Sequence, residues 1–191
     1  MARPRKFDRS EALDNAMLVF WQKGYEATFL DDLTDAMGIN RPSLYNAFGD
    51  KHTLYMEALA RYRELYSGKM LAALKRAPTV KAGFEQIFAD LIAEATERCC
   101  RGCMIVNSTV EAGATSEGVA AFVTETDAAS KRAFAAAVID AQQQGELTGK
   151  DPDALATYLY SAVQGLQLRA KAGDSRAELE AIAKLALSVL D

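Results

Sequence analysis

Histidine is almost missing from this chain of 191 residues: His52 stands alone. Cysteine is scarce and confined to one stretch, Cys99, Cys100 and Cys103. An enzyme site needs a nucleophile paired with a base, or a metal cluster. One histidine and no glycine-rich phosphate loop supply neither, so no catalytic residue and no cofactor is expected. Zinc requires four ligands, which three clustered thiols and a distant imidazole do not make, so no metal is expected. The odd, clustered cysteine count is not a disulfide framework and fits a reducing compartment. No apolar run reaches the ~18 residues of a membrane span, and the opening Met-Ala-Arg-Pro-Arg-Lys leads into no apolar segment. The sequence thus points away from a secretory signal and from a membrane, and toward the cytoplasm. Two-residue alternation of apolar positions is absent too, so no sheet is expected.

Net charge is −4, which taken alone argues against a nucleic-acid partner. Its distribution does not. Residues 1–76 hold 12 Lys+Arg and 10 Asp+Glu, whereas residues 77–191 hold 10 Lys+Arg and 16 Asp+Glu. One half can approach a polyanion and the other would avoid it.

Helical periodicity fills the chain. Leu13, Ala16, Met17, Phe20 and Trp21 make one apolar face that stops at Gly24. Thr28 through Asp31 reads as a capping box opening a short second helix, which Gly38 ends. Asn40 caps a third, with Pro42 in its first turn, where a missing N–H costs nothing. A fourth starts near Lys51 and carries Leu54, Tyr55, Ala58, Leu59, Tyr62, Tyr66 and Met70 toward Pro78. Five more follow, at about 79–98, 103–113, 116–144, from Pro152, and 175–190. The expected fold is all-α with about nine helices, divided into a DNA-binding domain over 1–50 and a ligand-binding and dimerisation domain over 51–191, in which 51–76 is the linking helix.

Residues 30–48 are helix, three-residue turn, helix, with glycine in the turn: the layout of a helix-turn-helix, whose second helix fits a major groove. Leu33, Met37, Ile39, Leu44 and Phe48 would pack it together. Arg41, Pro42, Ser43, Tyr45 and Asn46 then face out; Arg reads guanine edges, Asn reads adenine, and hydroxyls bind bases or phosphates. A helical hairpin in an adaptor protein would show the same periodicity. The exposed composition and the flanking basic residues favour the DNA reader.

These residues resemble the tetracycline-repressor (TetR) family of bacterial regulators. The likeness runs over residues 9–55: Phe20 and Gly24, Thr28, Gly38-Ile39-Asn40, Leu44-Tyr45 with Phe48, and Lys51 with Leu54. Leu33-Thr34 stands where the family often has Ile-Ala, and Asn40 where Ser is common. The resemblance implies a three-helix DNA domain, a linking fourth helix and a helical domain that binds a small-molecule effector and forms a homodimer on palindromic operator DNA.

Beyond Arg41–Asn46, the expected DNA contacts are Arg3, Arg5 and Lys6 of a basic arm that also includes Arg9, then Thr28, and Lys51 at a helix start that favours anions. An effector pocket between facing helices is expected among Phe84, Phe88, Met104, Asn107, Phe122, Phe134, Tyr158 and Gln164. The last two helices are apolar around much of their circumference, which assigns Ala162, Val163, Leu166, Leu179, Ile182, Leu185, Ala186 and Val189 to the dimer interface. Cys103 reads first as a small packing residue. The alternative is a regulator that senses oxidants or electrophiles through Cys99, Cys100 or Cys103.

Overall fold

The computed structural model describes residues 7–97, 101–111 and 116–191, and among these every regular element is helical. The order is α1 (Arg9–Lys23), α2 (Leu30–Met37), α3 (Arg41–Phe48), α4 (Lys51–Tyr62), a π-helical turn (Arg63–Ser67), α5 (Gly68–Arg76), α6 (Val80–Glu97), α7 (Met104–Glu111), α8 (Glu117–Gln143), α9 (Pro152–Ala172), α10 (Arg176–Leu187) and a closing 3-10 turn (Ser188–Leu190).

Helix starts are written in the side chains. Asp8 accepts from the N–H groups of Ser10 and Glu11 to open α1, Asn40 from Ser43 to open α3, and Asp50 from Thr53 to open α4. Each satisfies amide groups that a helix leaves unpaired at its N-terminus. Asp151 with Pro152 begins α9, and Ser175 with Glu178 closes a reciprocal box on α10. The box expected at Thr28 and Asp31 is displaced by one residue. Asp32 takes the Phe29 N–H at 2.9 Å, while the Thr28 hydroxyl donates to the Gly24 carbonyl at 2.6 Å.

The linking helix does span 51–76, but not as one α-helix. Arg63–Ser67 widens into a π turn, flanked by Tyr62 and Gly68 in ordinary right-handed helical conformation. With α4 and α5 counted as one rod, nine rods stand among the described residues.

Two apolar clusters organise the chain. One gathers Phe20, Leu33, Leu44, Phe48, Leu54, Tyr55 and Leu59 of α1–α4, and continues into Met104 and Ile105 of α7 and Val119 and Val123 of α8. The other joins α6, the later turns of α8, α9 and α10 around Phe84, Phe88, Phe134, Leu159 and Leu166. The first therefore extends beyond residues 1–50: α7 and the start of α8 are built into the same core as the helix-turn-helix.

Candidate functional site

The turn between α2 and α3 is closed by Gly38, at φ +65°, whose N–H and that of Ile39 return to the last carbonyls of α2. That left-handed backbone is what makes glycine suitable there. Leu33, Met37, Leu44 and Phe48 are buried as expected, and Ile39 is half-buried. With this face anchored, α3 turns Arg41, Pro42, Tyr45 and Asn46 to solvent, with Ser43 half-exposed beside them.

Arg41 is not idle in the free protein. Its Nη2 and Nε donate to Asp31 Oδ1 at 2.7 and 3.1 Å, and that bond raises its pKa. The carboxylate of α2 thus holds the exposed Arg41 side chain of α3. Lys51, at the start of α4, lies with Nζ 4.4 Å from the centroid of the Tyr25 ring, close to the α3–α4 junction.

One expected contact and one member of the basic arm are corrected. Thr28 is fully buried, with its hydroxyl spent on Gly24, so its side chain cannot reach DNA. Arg9 belongs to the fold rather than to the arm: it grips both Glu57 oxygens at 2.8 and 2.7 Å, donates to the Ala47 carbonyl and lies over the Phe48 ring. Arg3, Arg5 and Lys6 lie outside the described residues.

Between α1, the linking rod, α8 and α9 lies a cavity of about 320 Å³. Its wall combines Trp21 of α1, Tyr62 and Tyr66 of the linking rod, Cys103 and Ile105 around the start of α7, Thr126 and Ser130 of α8, and Tyr160 and Gln164 of α9. Trp21 and Tyr62 meet edge to face at 5.0 Å, and Tyr62 stacks on Tyr66 at 4.6 Å. The Trp21 indole N–H donates to the Gly102 carbonyl at 2.9 Å, which ties α1 to the segment entering α7.

Of the eight pocket residues expected from sequence, Gln164 lines this cavity. Phe84, Phe88 and Phe134 are buried core side chains, with Phe84 and Phe134 edge to face at 4.9 Å. Met104 packs in the lower core. Asn107 supports the site from outside, donating to the Arg101 carbonyl at 3.0 Å and accepting from Lys171 at 2.9 Å. Phe122 lies under the Arg63 guanidinium, and Tyr158 is on the outer face of α9.

The apolar residues of α9 and α10 are largely consumed within the chain. Val163, Leu166, Leu179 and Ala186 are buried, and Ala162, Ile182 and Val189 half-buried, because α9 is packed by α6, α8 and α10 at once. Of that set only Leu185 stands out, 72% exposed. The outward apolar stripe of α9 and α10 consists of Tyr158, Leu168 and Leu185, with the small residues Gly165, Ala177 and Ala181 exposed among them.

The cysteine cluster is represented by Cys103, a free half-buried thiol; Cys99 and Cys100 lie outside the described residues. Burial pushes the Cys103 thiol pKa up, against hydrogen bonds from the Val106 backbone and Tyr62 that pull it down. Cys103 is thus held as the neutral thiol, the opposite of an activated nucleophile. Among the described residues no three His, Cys, Asp or Glu side chains gather as a metal site, and no helix is long and apolar enough to cross a membrane.

Three residues that matter here carry no sequence signal of their role. Asp31 holds Arg41. Trp21 looks like one more member of an apolar stripe. Glu111, at the end of α7, accepts the Tyr25 N–H at 2.9 Å across 86 positions. It thereby fastens α7 to the turn between α1 and α2. Between these ends, Ser108 of α7 pairs with the Tyr55 hydroxyl of α4 at 2.8 Å, and burial pushes the Tyr55 pKa up to about 12. A short helix thus touches the cavity at one end and the turn between α1 and α2 at the other.

Known proteins agree with this geometry. A family model described as "Bacterial regulatory proteins, tetR family" matches residues 12–58, and one described as "Tetracyclin repressor-like, C-terminal domain" matches residues 83–185. The chain is 32% identical over 194 residues to the uncharacterized HTH-type transcriptional regulator YezE of Bacillus subtilis (strain 168), covering 100% of each. It is 33% identical over 184 residues to the HTH-type transcriptional repressor ComR of Escherichia coli (strain K12), covering 95% of this chain and 88% of ComR. The solved structure of the TetR family transcriptional regulator CifR, a cysteine mutant complexed with 26bp double-strand operator DNA, matches it with a TM-score of 0.90 at 34% identity over 100% of both chains. The chain belongs to the TetR family of DNA-binding transcriptional regulators.

Proposed function

We propose that the protein is a dimeric repressor of a bacterial cytoplasm, held on a palindromic operator by α3 of each protomer and released when a small molecule fills the cavity beside Trp21. In this reading residues 1–50 contact DNA, and residues 51–191 bind effector and partner. Arg41, Pro42, Ser43, Tyr45, Asn46 and Lys51 face the operator, and the arm of Arg3, Arg5 and Lys6 tracks phosphates. The observation that carries it is the makeup of the cavity wall: Trp21 comes from the first helix of the DNA-reading half, and Tyr62, Tyr66 and Ser67 from the rod that leaves it.

Two connections favour transmission. The rod from Lys51 to Arg76 spans roughly 39 Å at ~1.5 Å per residue, and its π turn borders the cavity. Such turns recur at functional sites. The second is α7, attached to Trp21 through Gly102 and to the Tyr25 backbone through Glu111. A ligand that displaces either tilts α3, and paired recognition helices tolerate little error in their separation. Typical coupling is ~1–3 kcal/mol and reciprocal, so operator weakens effector binding as much as effector weakens operator binding.

The outward stripe of Tyr158, Leu168 and Leu185 is the face offered to a second copy. Thiol-based release has less support at Cys103, whose raised pKa keeps it protonated. The test is sedimentation of the protein with a palindromic fragment from the DNA upstream of its own gene. Two protomers per palindrome are expected, and a Leu168→Glu/Leu185→Glu variant should sediment as a monomer and lose tight binding. A wild-type monomer that binds the fragment tightly would overturn the reading.

A further inference from the structure

The chemistry of the cavity wall restricts what it can hold. Four of its hydroxyl and indole hydrogens are already committed to the protein. Trp21 donates to Gly102, Thr126 to the Phe122 carbonyl at 2.8 Å, Ser130 to the Thr126 carbonyl at 2.9 Å, and Tyr160 to Asp127 at 2.6 Å. The Gln164 amide also donates to Asp127, at 3.3 Å. What the hydroxyls of Thr126, Ser130 and Tyr160 still offer a guest is oxygen lone pairs, while the Gln164 amide keeps one N–H. A guest that brings N–H groups or positive charge is complemented by these hydroxyl oxygens.

Charge and rings agree. Asp90 and Glu94 line the cavity against one lysine, Lys69, and Asp127 lies directly behind Tyr160 and Gln164. Arg63 donates to the Thr126 hydroxyl oxygen at 3.5 Å, and its charge is shared with the Phe122 ring beneath it and with Glu125 at 3.7 Å. The aromatic wall already holds cations: the Arg101 guanidinium stands 5.0 Å from the centroid of a Trp21 ring and Lys69 Nζ 5.3 Å from that of Tyr66. Aromatic faces favour cations through their quadrupole, most strongly when water is excluded.

We propose that this cavity binds an organic cation: a protonated amine or quaternary ammonium on a compact apolar body. The inference rests on the cavity being the effector site, and the two can fail separately. Trp21 is the sole tryptophan, so its emission reports occupancy in the intact chain. The probes are benzyltrimethylammonium chloride, sodium phenylacetate and neutral benzyl methyl ether, titrated at matched ionic strength. The cation should change Trp21 emission saturably and bind about ten-fold tighter than the other two. Asp127→Asn, which keeps the acceptor for Tyr160, should remove most of that preference and leave the ether unchanged. Anion or ether binding as tightly as the cation would overturn the charge assignment and leave the cavity reading intact. Binding of the cation without any weakening of operator affinity would uphold the ligand class and overturn the effector role. No response to any probe in a natively folded sample would overturn both.

Discussion

Replacing Gly24 tests whether α7 is fastened to the DNA-reading half through Glu111. Gly24 has φ +81° and ψ 170°, a region that only glycine occupies without strain, at a cost of ~1–3 kcal/mol for other residues. A Cβ there would lie 2.2 Å from Glu111 Oε2. The carboxylate must swing aside, and the part-buried Tyr25 N–H loses its charged acceptor, worth about 1–3 kcal/mol. Gly24→Ala should therefore cost about 2–6 kcal/mol, and Glu111→Ala about 1–3 kcal/mol. The bond can be lost only once, so the double variant should be no less stable than Gly24→Ala alone. That is a coupling of about 1–3 kcal/mol. Urea unfolding of the four proteins at one fixed concentration, with slopes compared, measures it. Additivity within ~0.5 kcal/mol would show that the two residues do not meet, and the α7 connection would be wrong.

Three further outcomes are expected. Lys51→Ala should weaken specific and random DNA alike and reduce the salt slope of binding by about one, whereas Asp31→Asn, which frees Arg41, should strengthen both; equal slopes in wild type and Lys51→Ala would remove Lys51 from the interface. In a Cys99→Ser/Cys100→Ser background, Cys103 should react with a thiol reagent at neutral pH more slowly than free cysteine, because its pKa is raised; faster attack would restore the sensing alternative. Asp32, bonded to Lys23, Asp50, bonded to the Thr53 N–H, and Glu178, bonded to Ser175, all have lowered pKa values. Depressed carboxylates stabilise the fold above their unfolded values near ~4, and that contribution disappears as pH falls through the folded values. Thermal melts should thus hold down to about pH 4 and fall below it; a loss beginning above about pH 5 would contradict this source.

The helix-turn-helix was legible because its signals are local: Gly38, Asn40, Pro42 and the spacing of Leu33, Met37, Leu44 and Phe48 lie within a few turns of one another. Even there, adjacent Asp31 and Asp32 offered two capping registers. The structure uses Asp32 for the cap and gives Asp31 to Arg41. The cavity was not legible. Trp21, Tyr62 and Tyr66 are correctly placed on apolar helix faces, but periodicity does not say whether a face meets side chains or a void. Phe84 and Phe134 illustrate the reverse, large rings that simply fill the core. The final helices show a related limit of periodicity. An all-round apolar helix is buried, and α9 is buried by three helices of its own chain, so its outer stripe had to be found from exposure. Glu111 is out of reach of any local pattern, since its partner is a backbone amide 86 positions away.

The central claim is that α3 reads DNA sequence and that Arg41 is among its reading side chains. Operator and random duplex of equal length should be titrated with wild type and Arg41→Ala at one salt concentration. The account predicts a loss of about 1–3 kcal/mol on the operator and a much smaller loss on random duplex. Equal losses on both would make Arg41 a phosphate contact, and no loss on either would take α3 out of the major groove.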